Sequence, residues 1–525
     1  ANRTRTTLQP GTPDQRIINY SYDDVNRLST LTSPAGAFSF GYNLNNQRTT
    51  TSYPNQITAS YSYDDAGRLT NIAHTNPDTT IITSAGYTLD DVGNRTTKSG
   101  STTESYSYDA TYRILQAITP KGYETYSYDS VGNRTTGPGP RDAGYNHDAA
   151  NRMTKGRQYS YSYDNNGNQI AKSINETKGW IQSWNYENQL SKSERTKGAE
   201  KRTVTFKYDP FGRRIEKKQV TTNPSTTETT TYVYDNEDIV LEVSSLNGTT
   251  FYTHGPGIDE PLALERSGNY YYYHADGLGS ITAISDQSRT VVQRYSYSVF
   301  GQPRPTTRFR NTYQYTGREY DKETGLHYYR LRYYDPMEGR FISKDPIGFD
   351  GDDENLYGYV QNNPVNFIDP WGLCGCSNIL ATAQGLNNDI NYGYLGNKGP
   401  GKKKDKCNAY VDDVLTGAGI TPPRRHYGFG GPISAGTWAD PNANIPNFPV
   451  VSTPQPGDIV AISYRFSNGA SGHIAIVEDP GKSTIGTGRD GSHRTGWPWD
   501  KSLSPQGTPV YRRCTCPGLP DFFGP

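Results

Sequence analysis

The sequence predicts a mainly β protein: a long array of short hairpins followed by a small α+β module. Three observations predict it. A motif of the form Tyr-x-Tyr-Asp-x-x-Gly/Asn-Arg/Asn recurs through the first part of the chain at intervals of about 20 residues, enough for one hairpin per copy. The chain carries 54 Gly and 34 Pro, which favours turns and short strands over long helices. At Asp369-Pro370-Trp371-Gly372-Leu373 the pattern stops, and all 5 Cys lie beyond it. A repetitive array joined at a sharp boundary to a unique module reads as a carrier holding a payload. Function is therefore sought after residue 373.

Each hairpin follows from its residues. The copies include Tyr20-Ser21-Tyr22-Asp23 with Asn26-Arg27, Tyr61-Ser62-Tyr63-Asp64 with Gly67-Arg68, and Tyr126-Ser127-Tyr128-Asp129 with Gly132-Asn133-Arg134. Others are Tyr161-Ser162-Tyr163-Asp164 with Gly167-Asn168, and Phe206-Lys207-Tyr208-Asp209 with Gly212-Arg213. Degenerate copies fall near Asn43, Asp90, Asp109, Asp148, Glu187 and Asp235. Tyr-x-Tyr has period two, so both rings share one strand face. Asp and the Gly or Asn supply turn chemistry and a residue that tolerates positive φ. The segment after the Arg runs back as the return strand. One hairpin is marginal alone, so stacking on its neighbours must bury its face.

Composition removes several function classes. Lys+Arg and Asp+Glu are both 53, so no global field favours nucleic acid or an anionic membrane. A mean hydropathy of −0.83 would suit a disordered chain, but 43 Tyr, 15 Phe and 6 Trp do not. Tyr supplies apolar surface while its hydroxyl meets water or a partner. No apolar run is long enough to span a membrane. Ala1-Asn2-Arg3-Thr4-Arg5 lacks the apolar core of a signal peptide. The chain begins in mid-repeat, which reads as a fragment of a larger protein; any export signal would lie upstream.

These units resemble the YD repeats of the RHS and teneurin family. That resemblance implies a sheet that spirals into a hollow cocoon, with residues 1–312 as shell. Residues 313–373 are denser in motif, with Tyr313-Gln314-Tyr315-Thr316-Gly317-Arg318-Glu319, Leu326-His327-Tyr328-Tyr329-Arg330-Leu331-Arg332-Tyr333-Tyr334-Asp335-Pro336 and Gly339-Arg340-Phe341-Ile342-Ser343-Lys344-Asp345-Pro346 before the pentad. They resemble the RHS-associated core that ends in Asp-Pro-x-Gly-Leu. In that family the core cuts its own chain after the Leu by an aspartyl-protease-like arrangement. The resemblance therefore implies Asp345 and Asp369 as the carboxylate pair, Arg332 assisting, and a cut between Leu373 and Cys374. Two carboxylates sharing a proton can supply one acid and one base for amide hydrolysis. Asp-Pro pairs are also plain turn formers.

In residues 374–525, Cys407 stands in Lys404-Asp405-Lys406-Cys407-Asn408-Ala409-Tyr410-Val411-Asp412-Asp413-Val414-Leu415. Apolar residues at 410, 411, 414 and 415 have helical spacing, which puts Cys407 near a first helical turn. A helix N-terminus and neighbouring lysines both favour thiolate; a small buried core Cys is the plainer alternative. Further on, Pro456-Gly457-Asp458-Ile459-Val460 and Gly472-His473-Ile474-Ala475-Ile476-Val477 read as two strands of a small antiparallel sheet, with His473 opening the second. A Cys at a helix start with a His opening a strand is the papain-like dyad, in which imidazole deprotonates the thiol and later protonates the leaving group. The three blocks, in this order, resemble the NlpC-type and CHAP amidase families of cell-wall hydrolases over roughly 400–495. A third residue should orient the imidazole; Asp490 has a suitable distance along the chain, and His493 is the alternative. Residues 424–450, with Arg424, Arg425, His426 and Trp438, fit a groove lining or a surface loop equally.

The remaining cysteines form two Cys-x-Cys pairs, Cys374/Cys376 and Cys514/Cys516. Disulfides tying the module's ends, a four-thiolate zinc site and free thiols all remain open, with disulfides favoured. No catalytic metal or other cofactor is expected.

Together these readings give a secreted antibacterial toxin fragment. The shell encloses and releases a Cys-His hydrolase, with Cys407 as nucleophile, His473 as base and acid, and Asp490 as orienter. The resemblance implies peptidoglycan stem peptide as substrate and the periplasm of a competing bacterium as destination. It also implies a cognate immunity protein and delivery by a secretion system, such as type VI, through a region upstream of this chain. Nucleic acid is not an expected partner. The alternatives are a papain-like protease or deamidase acting on a protein of the target cell, and a non-enzymatic adhesive shell of the teneurin kind.

Overall fold

A computed structural model describes residues 2–373, apart from 10–11, 13–14, 45, 139–143, 308 and 349–353. Beyond residue 373 it describes the strands at 450–451, 459–463, 472–479, 483–488, 491–496 and 510–512. The chain divides into two compact units. One comprises Ala1–Gly41, Arg48–Lys344 and Asn355–Gly372; the other comprises Tyr42–Gln47, Asp345–Glu354 and Leu373–Pro525.

Regular structure among the described residues is strands and short 3-10 turns. In the first unit a 12-stranded sheet runs from Arg5–Leu8 to Gly122–Thr125, and a 16-stranded sheet from Asn146–His147 to Pro303–Pro305. Within each sheet the spatial order is the sequence order, as a chain of hairpins requires. A third sheet is built from Glu319–Asp321, Leu326–Tyr329, Arg332–Asp335 and Arg340–Phe341.

The repeat motif explains each turn atom by atom. At Asp64 the backbone N–H donates to Arg68 O at 3.0 Å, and Gly67 N–H donates to Asp64 O at 2.9 Å. The carboxylate accepts Arg68 N–H at 2.8 Å and Arg68 Nε at 2.7 Å. Gly67 has φ +78°, which glycine adopts without strain; Asn26 fills the same place at +64°. The second tyrosine of a unit then staples it to the unit before. Tyr63 hydroxyl donates to Arg48 O at 2.9 Å, Tyr208 to Leu190 O at 2.7 Å and Tyr234 to Arg214 O at 2.8 Å. Tyr rather than Phe is needed because the ring packs while its hydroxyl satisfies a carbonyl of the neighbouring unit.

The two long sheets also meet each other within this unit. Arg16 Nη2 lies 2.6 Å from Glu265, Tyr272 hydroxyl donates to Ala35 O at 2.7 Å, and the buried rings of His74 and His274 touch with Nδ1 atoms 3.2 Å apart. Residues 313–365 supply much of the core. Tyr329, Tyr334 and Tyr359 are fully buried against Tyr315 and Phe341, while Tyr328 and Tyr333 pack on Leu190, Val204 and Phe206 of the repeat strands.

In the other unit a six-stranded sheet places Ile459–Ser463 beside Gly472–Asp479, followed by Ser483–Gly488 and Gly491–Gly496. On its other side Ile459–Ser463 pairs with Val510–Arg512. Ile459, Val460 and Ala461 are buried, as the apolar run predicts. The helical part expected around Cys407 lies outside the described residues.

Candidate functional site

Two sites follow from the sequence. The first is the end of the repeat unit. The pentad's Asp369-Pro370-Trp371-Gly372 forms a turn, with Gly372 N–H donating to Asp369 O at 3.3 Å. Gly372 has φ +67°, and a Cβ there would stand 2.4 Å from Tyr329 O. Glycine is therefore required twice, by backbone conformation and by close approach.

Arg332, on the strand Arg332–Asp335, is the side chain that gathers this turn. Its Nε donates to Gly372 O, its Nη1 to Leu356 O at 3.3 Å and its Nη2 to Asp369 Oδ2 at 3.4 Å. The guanidinium lies 3.6 Å from the centre of the Phe341 ring. Arg332 is 3% exposed and Asp369 4%, so each charge compensates the other in a site with little water. Asp345 belongs to the other compact unit. It heads a turn of the same kind: its carboxylate accepts Ile347 N–H at 3.1 Å, its carbonyl accepts Gly348 N–H at 3.0 Å, and Gly348 also has φ +67°. The structure thus brings Arg332 and Asp369 together and makes a turn former of each Asp-Pro. Leu373 follows the pentad's turn, and Cys374 lies outside the described residues.

The second site is in the C-terminal sheet. His473 is the second residue of Gly472–Asp479, opposite Ile462. Ala475 pairs with Gly486, and Gly486 with His493. His473 and His493 therefore occupy register positions of the same parity, two strands apart. Asp490 falls in the link between Ser483–Gly488 and Gly491–Gly496 and, with Cys407, lies outside the described residues. So do Cys376, Cys514, Cys516, His426 and Trp438.

The sequence reading passed over Arg330 and Asp259, which prove to contact the pentad and its neighbourhood. It also passed over the repeat turn at Asp276, where Asp276 N–H donates to Ser280 O at 2.9 Å and Gly279 has φ +77°. The Asp-x-x-Gly spacing of Asp276-Gly277-Leu278-Gly279 was the available signal. In the degenerate copy near Glu187 the turn is headed by Asn185, whose side chain accepts Gln189 N–H at 2.9 Å.

Residues 87–365 match the profile of the teneurin YD-shell family, and residues 396–488 match that of the CHAP domain. The tRNA nuclease WapA of Bacillus subtilis is 37% identical over 232 residues, 42% of this chain and 9% of that protein. The double-stranded DNA deaminase toxin A of Burkholderia cenocepacia is 32% identical over 198 residues, 32% of this chain and 14% of that protein. The probable deoxyribonuclease RhsB of Dickeya dadantii is 28% identical over 378 residues, covering 67% of this chain and 24% of that protein. The chain thus spans 9% to 24% of these relatives' lengths. Among solved structures, TcdB2-TccC3 superposes with a TM-score of 0.56 at 22% identity, over 69% of this chain and 22% of that one. The Tc holotoxin pore of Photorhabdus luminescens gives a TM-score of 0.51 at 20% identity, over 68% and 20%. These two likenesses establish the fold of the repeat array.

Proposed function

The chain belongs to the teneurin YD-shell family, and from that premise we propose that it is part of a secreted toxin. Residues 1–312 form its shell and residues 313–373 cut the chain after Leu373. Residues 374–525 then act as a papain-like cysteine hydrolase on peptidoglycan peptide. The observation that carries the hydrolase is the CHAP match over 396–488, a span that contains Cys407 and His473. The relatives' names specify three different activities, on tRNA and on DNA. Likeness to these relatives therefore does not transmit a substrate, and the module after the junction is the better guide.

In the hydrolase, His473 takes the proton of the Cys407 thiol, and the sulfur adds to the amide carbon. The leaving amine receives that proton from the imidazole as the C–N bond breaks, and water hydrolyses the thioester. Asp490 holds the ring, with His493 as the alternative orienter, and backbone amides near Cys407 bind the oxyanion. At the junction, one carboxylate of Asp345 and Asp369 takes a proton from water as its oxygen adds to the Leu373 carbonyl carbon, and the other, protonated, gives its proton to the Cys374 nitrogen as the C–N bond breaks. Arg332, donating to Gly372 O, holds the strand on the acyl side of that bond.

Purified full-length chain and Cys407→Ala are incubated with peptidoglycan sacculi, and the soluble fragments are analysed by mass spectrometry. New muropeptides that the variant does not produce are expected. Parallel digests of tRNA and plasmid DNA test the activities for which the relatives are named; their breakdown with sacculi untouched would overturn the peptidoglycan substrate.

A further inference from the structure

The turn that joins Leu326–Tyr329 to Arg332–Asp335 runs along the pentad, and three successive residues of it bind three successive carbonyls. Arg330 Nη1 donates to Pro370 O, Leu331 N–H to Trp371 O at 3.3 Å, and Arg332 Nε to Gly372 O. The next carbonyl belongs to Leu373, at the bond expected to break. Arg332 is accounted for by its contact with Asp369. Arg330 is not, and it has a buried support of its own in Asp259.

Arg330 is 7% exposed and lies 4.8 Å above the Trp371 ring. Its Nη2 donates to Asp259 Oδ1 at 2.7 Å and its Nη1 to Asp259 Oδ2 at 3.1 Å. Asp259, 5% exposed, also accepts from Arg318, which in turn donates to Tyr328 O at 3.2 and 3.1 Å and pairs with Glu319 at 2.7 Å. Burial alone would raise the Asp259 carboxyl, but Arg318 and Arg330 outweigh it and hold it below the usual carboxylate range. Gly317, with φ +69°, lets this cluster close, since a Cβ there would stand 2.1 Å from Asp259 O. Two buried guanidiniums converging on one carboxylate are expensive to desolvate. The repeat turn uses no such device, because its Asp and Arg sit four residues apart and partly exposed.

We propose that Asp259 and Arg330 form a brace that fixes the Pro370 carbonyl, and through it the pentad, so that the Leu373–Cys374 bond is held in register for self-cleavage. The inference rests on the self-cleavage proposed above. Both are positioning residues: they act through the backbone of the pentad and take no proton in the reaction. Arg330, Leu331 and Arg332 each hold one backbone carbonyl of the pentad, to which Arg330 adds the Trp371 ring and Arg332 the Asp369 carboxylate. A misplacement of about 1 Å at a reacting bond is enough to cost on the order of a hundredfold in rate.

The test is a pulse-chase of full-length chain made by cell-free translation, following the fragment that begins at Cys374. Wild type should cut and Asp369→Asn should not. Arg330→Gln and Asp259→Asn should each slow the cut by about tenfold or more, and the double variant should be no slower than the worse single one. Arg330→Lys, which keeps charge but not the fork, should fall between. The slowed variants should keep the wild-type pH dependence, since no titrating partner of the reaction has changed, and should keep a shell that resists trypsin. If Arg330→Gln cuts at the wild-type rate while Asp369→Asn stays whole, the brace is wrong and self-cleavage stands. A slowed rate that disappears once corrected for the trypsin-resistant fraction also overturns the brace, as a matter of folding only. If wild type stays whole, or Asp369→Asn cuts normally, self-cleavage and the brace fall together.

Discussion

The repeat array and the segment 313–373 use the same side chains in opposite ways. Within the turns of the array, charge is local: Asp23 with Arg27, Asp64 with Arg68 and Asp209 with Arg213 pair across four residues, with side chains partly exposed, and only pairs such as Arg16 with Glu265, where the two long sheets meet, reach further. In the segment, charge is buried and distant. Asp321, 1% exposed, takes both Arg214 and Lys217, and Asp335 takes Lys172 at 2.7 Å. Tyrosine serves both ends in the array, stapling adjacent units at Tyr63 and filling core at Tyr252 and Tyr273, whereas Tyr329, Tyr334 and Tyr359 of the segment are all core. The difference separates what propagates a repeat from what ends it. A local pair can be copied at every turn, whereas a buried long-range pair fixes one position in one molecule.

That contrast can be broken by substitution, with effects ranked by burial. Asp321→Ala leaves Arg214 buried without that carboxylate and Lys217 with Glu323 alone, and should cost about 3–5 kcal/mol in urea unfolding; a loss under about 1 kcal/mol would erase the distinction. Acid should act next, through the contact between the two sheets. His74 donates Nε2–H to Ala275 O, and His274 lies between its Nδ1 and Ser285 Oγ, a neutral network with Tyr53 and Asn55 alongside and Arg294 near His274. Burial holds His74 down to about 4 and His274 well below its ordinary value. The unfolded chain therefore takes up protons near 6.5 that the folded chain refuses, so stability falls as pH drops from about 6.5 toward 4. His74 alone should contribute about 3 kcal/mol to that fall, and His74→Gln should lessen it by about that much in melts across pH, with His274, His147 and His327, also held low, supplying the rest.

Smaller effects belong to the array. Tyr63→Phe removes one staple and leaves Arg48 O without that donor, for a loss of about 1 kcal/mol. Arg27→Ala removes a partly exposed ion pair, and should cost about 0.5 kcal/mol. Equal losses from Tyr63→Phe and Asp321→Ala in matched melts would show that the segment is one more repeat.

The same division explains what the sequence disclosed. Turns such as Asp64–Arg68 were legible because the bonds that close them join residues within four positions. The pentad was legible because Asp369, Pro370 and Gly372 are the residues a tight turn demands. Arg330 and Asp259 were not, since 71 positions separate them and neither has local motif chemistry. Asn185 was obscured by Glu187 because either residue suits a turn, and only the hydrogen bond from Gln189 distinguishes them. For the C-terminal module, block order and the His473 strand were readable from apolar alternation, and the sheet places that strand beside Ile459–Ser463 as expected.

Whether residues 313–373 process the chain or merely end the repeats is tested most directly by the intact mass of freshly made full-length protein. Two products whose masses divide the chain between Leu373 and Cys374, replaced by a single uncut mass in Asp369→Asn, are the expected result. One mass in both proteins, with the shell shown to be folded, would contradict it.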